Sequence, residues 1–379
     1  MLILGAAGGM AAVVIRDLLA FAPEISITAA DMRAIEPGDP RVRPAAVDVR
    51  DEAATARLAA GHDVLLNCVT YYFNVPVMRA ALRARVPYAD LGGLYHGTLK
   101  QFGLHEEFAR AGIPAVLGMG STPGITNVLA GALAAGLDRV DAIHVRVGCI
   151  DGSATGVLPV PYALDTVLDE FSLEPMVFRD GKAAAVEPMS GEETIEFPAP
   201  VGKAEAFYTL HSEVAMFPRS YPGLRDASFK VAFEPEFTRK VRFLVELGFA
   251  SREKLAGGGS PREILLALAA RQEAPKADPS DCDILRVEVS GKKARETVTR
   301  KGELTVLPHS TWRVAAGALD TGVPLSIVGQ MLARGTIATP GVLCPETAVP
   351  PEFFFRELSR REMHARLETA AGDEKGTDR

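Results

Sequence analysis

Short apolar runs alternate with stretches of helical spacing through the first third of the chain. Runs at 2–4, 25–30, 45–49, 63–69, 88–91 and 114–117 predict strands, and the spacing between them predicts helices over 11–20, 51–60, 75–84 and 99–111. The continuous apolar run at 63–69 suits a strand covered on both faces. Six strands in this alternation predict an α/β architecture, a Rossmann-type doubly wound parallel sheet. Thr122-Pro123 supplies an N-cap and a first-turn proline for a helix over about 124–136. After Ala142 the texture changes. Strands at 144–150, 178–179, 205–210 and 229–233, separated by polar or proline-rich connections, predict an antiparallel sheet in a second, α+β substrate domain. Ser260-Pro261-Arg262-Glu263 is a capping box opening a helix to about 271, and 284–289 with 296–306 reads as a closing hairpin. Helical spacing resumes from Ser310 to Leu332. The expected organisation is a dinucleotide-binding domain over 1–122, a substrate and dimerisation domain over 123–309, C-terminal helices returning to the first domain over 310–365, and a mobile charged tail over 366–379.

Composition narrows the classes. A chain of 379 residues exceeds one compact core, and 47% hydrophobic with 23% charged residues is ordinary for a soluble globular protein. A net charge of −7 argues against a nucleic-acid partner. No apolar stretch approaches the ~20 residues of a membrane span. Met1 enters a core strand directly, leaving no room for a signal peptide, and Cys68, Cys149, Cys282 and Cys344 form no C-x-x-C pair. A reduced, cytoplasmic protein without structural zinc, acting on a small molecule, is the expectation.

The chemistry starts at the first turn. Gly5-Ala6-Ala7-Gly8-Gly9-Met10 joins strand to helix, which aims free backbone N–H groups at one point and suits a pyrophosphate. Gly5 holds the first position of the dinucleotide fingerprint, while Ala7 and Met10 replace the later glycines; Gly8 and Gly9 keep the turn open. Asp31, 21 residues after Met10, ends the second strand where a carboxylate meets an adenosine ribose, and this favours NAD over NADP. Arg33 keeps NADP possible, because a guanidinium there can hold a 2′-phosphate. Asp48 and Val49 mark the expected adenine seat. Asn67, Cys68, Val69 and Thr70 end the fourth strand, at the edge of the nicotinamide ribose.

Three segments then carry a likeness. Asn67-Cys68-Val69-Thr70-Tyr71-Tyr72-Phe73-Asn74, Tyr88-Ala89-Asp90-Leu91-Gly92-Gly93 and Gly120-Ser121-Thr122-Pro123-Gly124-Ile125-Thr126-Asn127 resemble the saccharopine dehydrogenase family, most of all its lysine 6-dehydrogenase branch. Gly335-Thr336-Ile337, Pro340-Gly341-Val342 and Pro345-Glu346 look like it too. The likeness covers most of the chain and is loosest between about 150 and 300. It implies hydride exchange between nicotinamide and a C–N bond, a homodimer, and a functional Tyr71. Many members carry an aspartate where this chain has Thr122, a substrate-side position, and the segment Tyr208–Val214 also departs from the lysine 6-dehydrogenase pattern.

Such chemistry needs a base of near-neutral pKa and an anchor for a substrate carboxylate. His211 and Glu213 form a His-x-Glu pair; on a strand both would share one face, as a base with its carboxylate or as a hydrogen-bonded pair at a sheet edge. Arg219 can clamp a carboxylate or stay solvated. Asp90 can orient a substrate ammonium or cap the following turn. His96 is a loop candidate, and His309 belongs to a domain boundary. One His and one Glu are too few for a metal site. The leading expectation is an NAD-dependent amine dehydrogenase acting on an amino acid, most simply L-lysine. Reductive condensation of an amine with an aldehyde or keto acid, and a non-catalytic dinucleotide-binding regulator, are the alternatives.

Overall fold

The computed structural model describes residues 1–36, 38–151, 157–158, 160–272 and 278–369. Six strands come from the first third of the chain: β1 (Leu2–Leu4), β2 (Ile27–Asp31), β3 (Val42–Ala46), β4 (Leu65–Asn67), β5 (Tyr88–Asp90) and β6 (Pro114–Val116). β1, β4, β5 and β6 are buried throughout, as parallel strands covered on both faces must be. A second group follows: β7 (Arg139–Asp151), β8 (Met176–Arg179), β9 (Lys182–Ala185), β10 (Glu193–Glu196), β11 (Lys203–Tyr208), β12 (Asp226–Ala232), β13 (Asp281–Lys293) and β14 (Glu296–Val306). The chain then returns to the first sheet with β15 (Gly341–Leu343) and to the second with β16 (His364–Thr369).

The first sheet is fully parallel, ordered β15-β6-β5-β4-β1-β2-β3. Its order reverses between β1 and β4, and open sheets of this kind bind ligands beyond the strand ends at that crevice. The second sheet runs β10-β11-β12-β7-β13-β14-β16, with the β8–β9 hairpin branching from β12. It is mixed rather than antiparallel, because β12 pairs in parallel with β7 over Asp226–Ala232. A parallel pair requires a crossover, and the chain supplies one that includes a helix over Leu164–Ser172.

Other boundaries differ from expectation. β3 stops at Ala46, so Asp48 and Val49 lie beyond the strand. The helix expected at 99–111 is two, Leu94–Phe102 and His105–Ala111, so His96 sits on a helix instead of a loop. The helix after Thr122 starts at Ile125 behind Gly124, so Thr122 does not cap it. Residues 364–369 pair with β14 as an edge strand, where the tail was expected from 366; residues 370–379 of that tail lie outside the described residues.

The C-terminal helix Ala316–Ala333 packs along the helix Gly9–Phe21. A Cβ at Gly322 would fall 2.7 Å from the Val13 Cβ, so only glycine allows this approach. One apolar cluster runs from Ile3, Val14 and Leu66 through Leu325 and Val328 to Val145, Val287 and Leu304, joining both sheets. Among the described residues no helix is long and apolar enough to cross a membrane.

Candidate active site

A cavity of about 340 Å³ opens between the carboxyl ends of β4, β5 and β6 and one face of the second sheet. From the parallel sheet come Cys68–Tyr71, Leu91–Leu94 and Gly120–Pro123. From the second sheet come Val147, Cys149, Phe229, Val231 and Asp283, which share one face through strand alternation. Helix Leu164–Ser172 adds Thr166 and Glu170, one turn apart, and the segment after β11 adds His211 and Ser212.

The first turn lies at one end of the cleft. Gly5 has φ +74°, and a Cβ there would meet Cys68 backbone atoms at 2.9 Å. The helix that follows has neither a side-chain cap nor an acidic first turn, so its leading N–H groups are left for a ligand. Gly5, Asp31, Asp48, Val49, Val69 and Thr70 line a second cavity of about 230 Å³. Asp31 accepts the Ala7 N–H at 3.1 Å and the Arg33 N–H at 2.9 Å. Met10, Cys68, Val69 and Thr70 form the rim of the larger cavity. An adenosine half at Asp31 and a nicotinamide half at Cys68–Thr70 fit this arrangement.

The proton-bearing groups lie across the cavity. His211 Nδ1 is 3.0 Å from Glu213 Oε2, and its Nε2 is 3.8 Å from Glu170 Oε1. Thr122 donates its hydroxyl to Glu213, and Tyr162 donates to Glu170. The result is a connected series, Thr122–Glu213–His211–Glu170–Tyr162. Burial pushes the Glu170 carboxyl up to about 7, against the opposing pull of His211. On another wall, Asp283 and Asp320 are hydrogen-bonded to each other, and Ser121 donates to Asp320 at 2.8 Å. Burial raises both, with Asp281 adding repulsion at Asp283 and Asp283 adding it at Asp320, while the bond between them lowers Asp283; the pair shares a proton. No Lys or Arg lines the cavity among the described residues, and none of their His, Cys, Asp and Glu side chains group in threes to hold a metal ion.

Comparison with known proteins places this geometry. Residues 1–116 match the family model described as saccharopine dehydrogenase NADP binding domain, and residues 120–363 match the saccharopine dehydrogenase C-terminal domain. The chain belongs to the saccharopine dehydrogenase family. It is a dehydrogenase-type oxidoreductase that uses a nicotinamide dinucleotide. It is 24% identical over 344 residues to carboxyaminopropylagmatine dehydrogenase of Synechocystis sp., with 86% of each chain covered. Over 310 residues it is 24% identical to carboxynorspermidine synthase of Vibrio cholerae, covering 77% of this chain and 74% of that one. Its fold matches apo saccharopine dehydrogenase (L-Glu forming) from Saccharomyces cerevisiae with a TM-score of 0.73 at 19% identity, covering 98% and 99% of the two chains. A homospermidine synthase from Legionella pneumophila in complex with NAD matches with a TM-score of 0.66 at 11% identity, covering 100% and 93%.

Within this family member the sequence-derived candidates separate into two groups. Gly5, Met10, Asp31, Asp48, Val49, Cys68, Val69, Thr70, Tyr71, Thr122 and His211 line the two cavities, and Glu213 stands directly behind His211. Ala7, Gly8 and Gly9 shape the turn. The His-x-Glu pair meets for a different reason than strand alternation: β11 ends at Tyr208, and Glu213 opens a helix to Ser220. Asn67 does not reach a cavity. It is 1% exposed and bonds Asn74, Tyr88 and the Val69 N–H, bracing the strand end. Asp90 is also structural: it accepts from Gly92 N, Gly118 N, Tyr88 and Gln101, which leaves no room for a substrate ammonium. Arg219 is exposed outside the cleft, with its guanidinium over the Phe102 ring at 4.7 Å. Tyr71 donates its hydroxyl to Asp169 at 2.7 Å, and burial pushes its phenol up. Glu170, Tyr162, Asp283 and Asp320 were not anticipated.

Proposed function

We propose that the protein reduces the C=N bond formed between a cationic di- or polyamine and a carbonyl compound, giving a secondary amine. The observation that carries this is the acidic lining of the cleft: Glu170, Asp283 and Asp320 line it with no Lys or Arg among the described residues, which suits ammonium groups. The apolar wall of Val147, Phe229, Val231 and Phe233 suits the methylene chain between them. The relatives named for carboxyaminopropylagmatine and carboxynorspermidine support the same class.

Amine and carbonyl first lose water to form the imine. Reduction then adds a hydride to carbon and a proton to nitrogen. The nicotinamide supplies that hydride when bound. Glu170, its carboxyl raised to about 7, is placed to take a proton from the attacking ammonium as the carboxylate and then to return it to the carbinolamine hydroxyl, which leaves as water when the C=N bond forms. His211, clamped by Glu213 and with its Nε2 3.8 Å from Glu170, re-supplies Glu170. Asp283 and Asp320 exchange their shared proton for a substrate ammonium.

Oxidation of free L-lysine fits less well. The relatives with which the chain shares most of its length are named for carboxyaminopropylagmatine and carboxynorspermidine, not for lysine. The deciding assay follows the absorbance of reduced nicotinamide with diamines and agmatine, each paired with an amino-acid semialdehyde or a 2-oxo acid. Coenzyme oxidation that requires both partners is expected. Coenzyme reduction by L-lysine alone would overturn the proposal.

A further inference from the structure

Helix Leu164–Ser172 presents its acidic residues on two faces. Thr166 and Glu170 face the cleft, while Asp165 and Asp169 face a separate set of partners. Buried Arg262 donates from Nη1 to Asp169 Oδ1 at 2.6 Å and to Asp165 Oδ1 at 3.0 Å, and its Nε bonds the Ala250 carbonyl at 2.9 Å. One oxygen of Asp169 is thus fixed within the half of the molecule that carries the second sheet.

The other oxygen points across the boundary. Asp169 Oδ2 accepts from the Tyr71 hydroxyl at 2.7 Å and from the Tyr72 hydroxyl. Both tyrosines lie on the short turn Tyr71–Phe73 that follows β4, directly after the Cys68–Thr70 rim. Their rings are 4.2 Å apart, and Arg252 covers Tyr72 at 4.9 Å while bonding Asp165 at 3.0 Å. Burial and the Asp169 carboxylate keep both phenols protonated, hence able to donate.

Glu170 is the next residue, and its backbone carbonyl accepts the Leu210 N–H at 3.4 Å, beside His211. Whatever holds Asp169 therefore sets Glu170 and the His211 segment together against the nicotinamide rim. We propose that Asp169 is a positioning residue: its bridge to Tyr71 and Tyr72 fastens the dinucleotide-binding half to helix Leu164–Ser172 and holds Glu170 at the reacting carbon and nitrogen. Breaking the bridge opens the cleft. The catalytic half of this proposal rests on the role given to Glu170 above; the bridge itself does not.

The double variant Tyr71→Phe/Tyr72→Phe keeps both rings and removes both hydroxyls. It is compared with the wild-type chain, each saturated with reduced nicotinamide coenzyme, by amide hydrogen exchange and by steady-state kinetics. Exchange over 164–172 should rise about ten-fold, the scale of losing hydrogen bonds to a charged acceptor. Turnover number should fall about ten-fold while KM for the coenzyme stays within about two-fold, a split that loss of coenzyme binding would not give. Unchanged exchange overturns the bridge. Faster exchange with unchanged turnover number overturns the positioning role. If no amine and carbonyl pair is turned over, the condensation reading fails on its own and the exchange result still decides the bridge. Should the double variant not fold, Tyr72→Phe alone, at an exposed position, should show about a three-fold rise in exchange, and no rise would again overturn the bridge.

Discussion

Nδ1 of His211 lies 3.0 Å from Oε2 of Glu213, and both side chains are buried. The imidazole is also stacked on Phe229, with ring centroids 3.7 Å apart and planes 18° from parallel. Burial alone would draw the imidazole toward its neutral form. Glu213, and then Glu170, outweigh burial and leave its pKa above the ordinary value. Burial likewise opposes the charge on Glu213, but His211 and the Thr122 hydroxyl hold its pKa below the usual range. A raised imidazole pKa adds stability that is fully present below about pH 6.5 and fades as pH rises through the folded value. A depressed carboxyl pKa adds stability that is present above about pH 4.5 and fades as pH falls through the folded value. The pair therefore contributes most between those limits. His211→Asn should lower Tm most near pH 5.5, and less near pH 9, where the wild-type imidazole is neutral as well. A Tm deficit that grows with pH would show that the pair is not ionised.

Glu170 has the opposite sign. Its pKa is raised to about 7 by burial, so the folded state binds its proton more tightly than the unfolded chain does. Ionising it costs stability progressively from about pH 4.5 to about pH 7, and the cost stays constant above that. Glu170→Gln should therefore raise Tm relative to the wild-type chain at pH 8 and leave it nearly level at pH 4. The same substitution should cut turnover by about a hundred-fold, within the range for a lost proton-transfer group. A variant less stable at pH 8, or one with full turnover, would remove Glu170 from the assigned role.

The parallel sheet was legible because β1, β4, β5 and β6 are covered on both faces, and burial of that kind writes itself as unbroken apolar runs. The second sheet was legible only as strands. Alternation along His144–Ile150 marks one buried face but carries no information about the neighbour, and the parallel β7–β12 pairing is settled by distant residues. Helix Leu164–Ser172 went unread although Leu164, Val167, Leu168 and Phe171 keep helical spacing and are all buried. Without that helix, Glu170 had no place in the site. Residue type misled at Arg219 and Asp90, since a guanidinium or carboxylate suited to a substrate is equally suited to a surface ring or to four internal donors. Asp320 offered a usable signal: a carboxylate inside a helix whose other residues are apolar on almost every side.

The C-terminal return is held by a buried ion pair. Arg361 donates from Nε to Asp17 Oδ1 at 2.6 Å and from Nη2 to Asp17 Oδ2 at 3.0 Å, and Ser326 donates to the same carboxylate at 2.6 Å. Helix Gly9–Phe21, helix Ala316–Ala333 and the segment before β16 meet at this point. Asp17→Ala leaves the Arg361 guanidinium with Glu357 as its remaining charge partner. The expected loss is about 3 kcal/mol, the scale of breaking a buried pair from one side, measured by denaturant unfolding. A loss below about 1 kcal/mol would place this pair with exposed ones.

The carboxylate at the end of β2 is the expected determinant of coenzyme choice. Asp31 stays ionised because the Arg33 backbone N–H and guanidinium and the Ala7 N–H together outweigh its partial burial. Its Oδ1 accepts Arg33 Nε at 3.3 Å, while the Arg33 side chain is otherwise exposed. An ionised carboxylate at the cavity wall accepts ribose hydroxyls and repels a 2′-phosphate, so the wild-type chain should bind NADH more tightly than NADPH. Asp31→Ser removes the repulsion and frees Arg33 to pair with that phosphate. The ratio of NADPH to NADH affinity should then rise by about ten-fold or more, read by nicotinamide fluorescence titration. Arg33→Ala should move the ratio the other way by lowering NADPH affinity alone. If Arg33→Ala weakens both coenzymes equally, the guanidinium acts only by holding Asp31 in place, and discrimination belongs to the carboxylate.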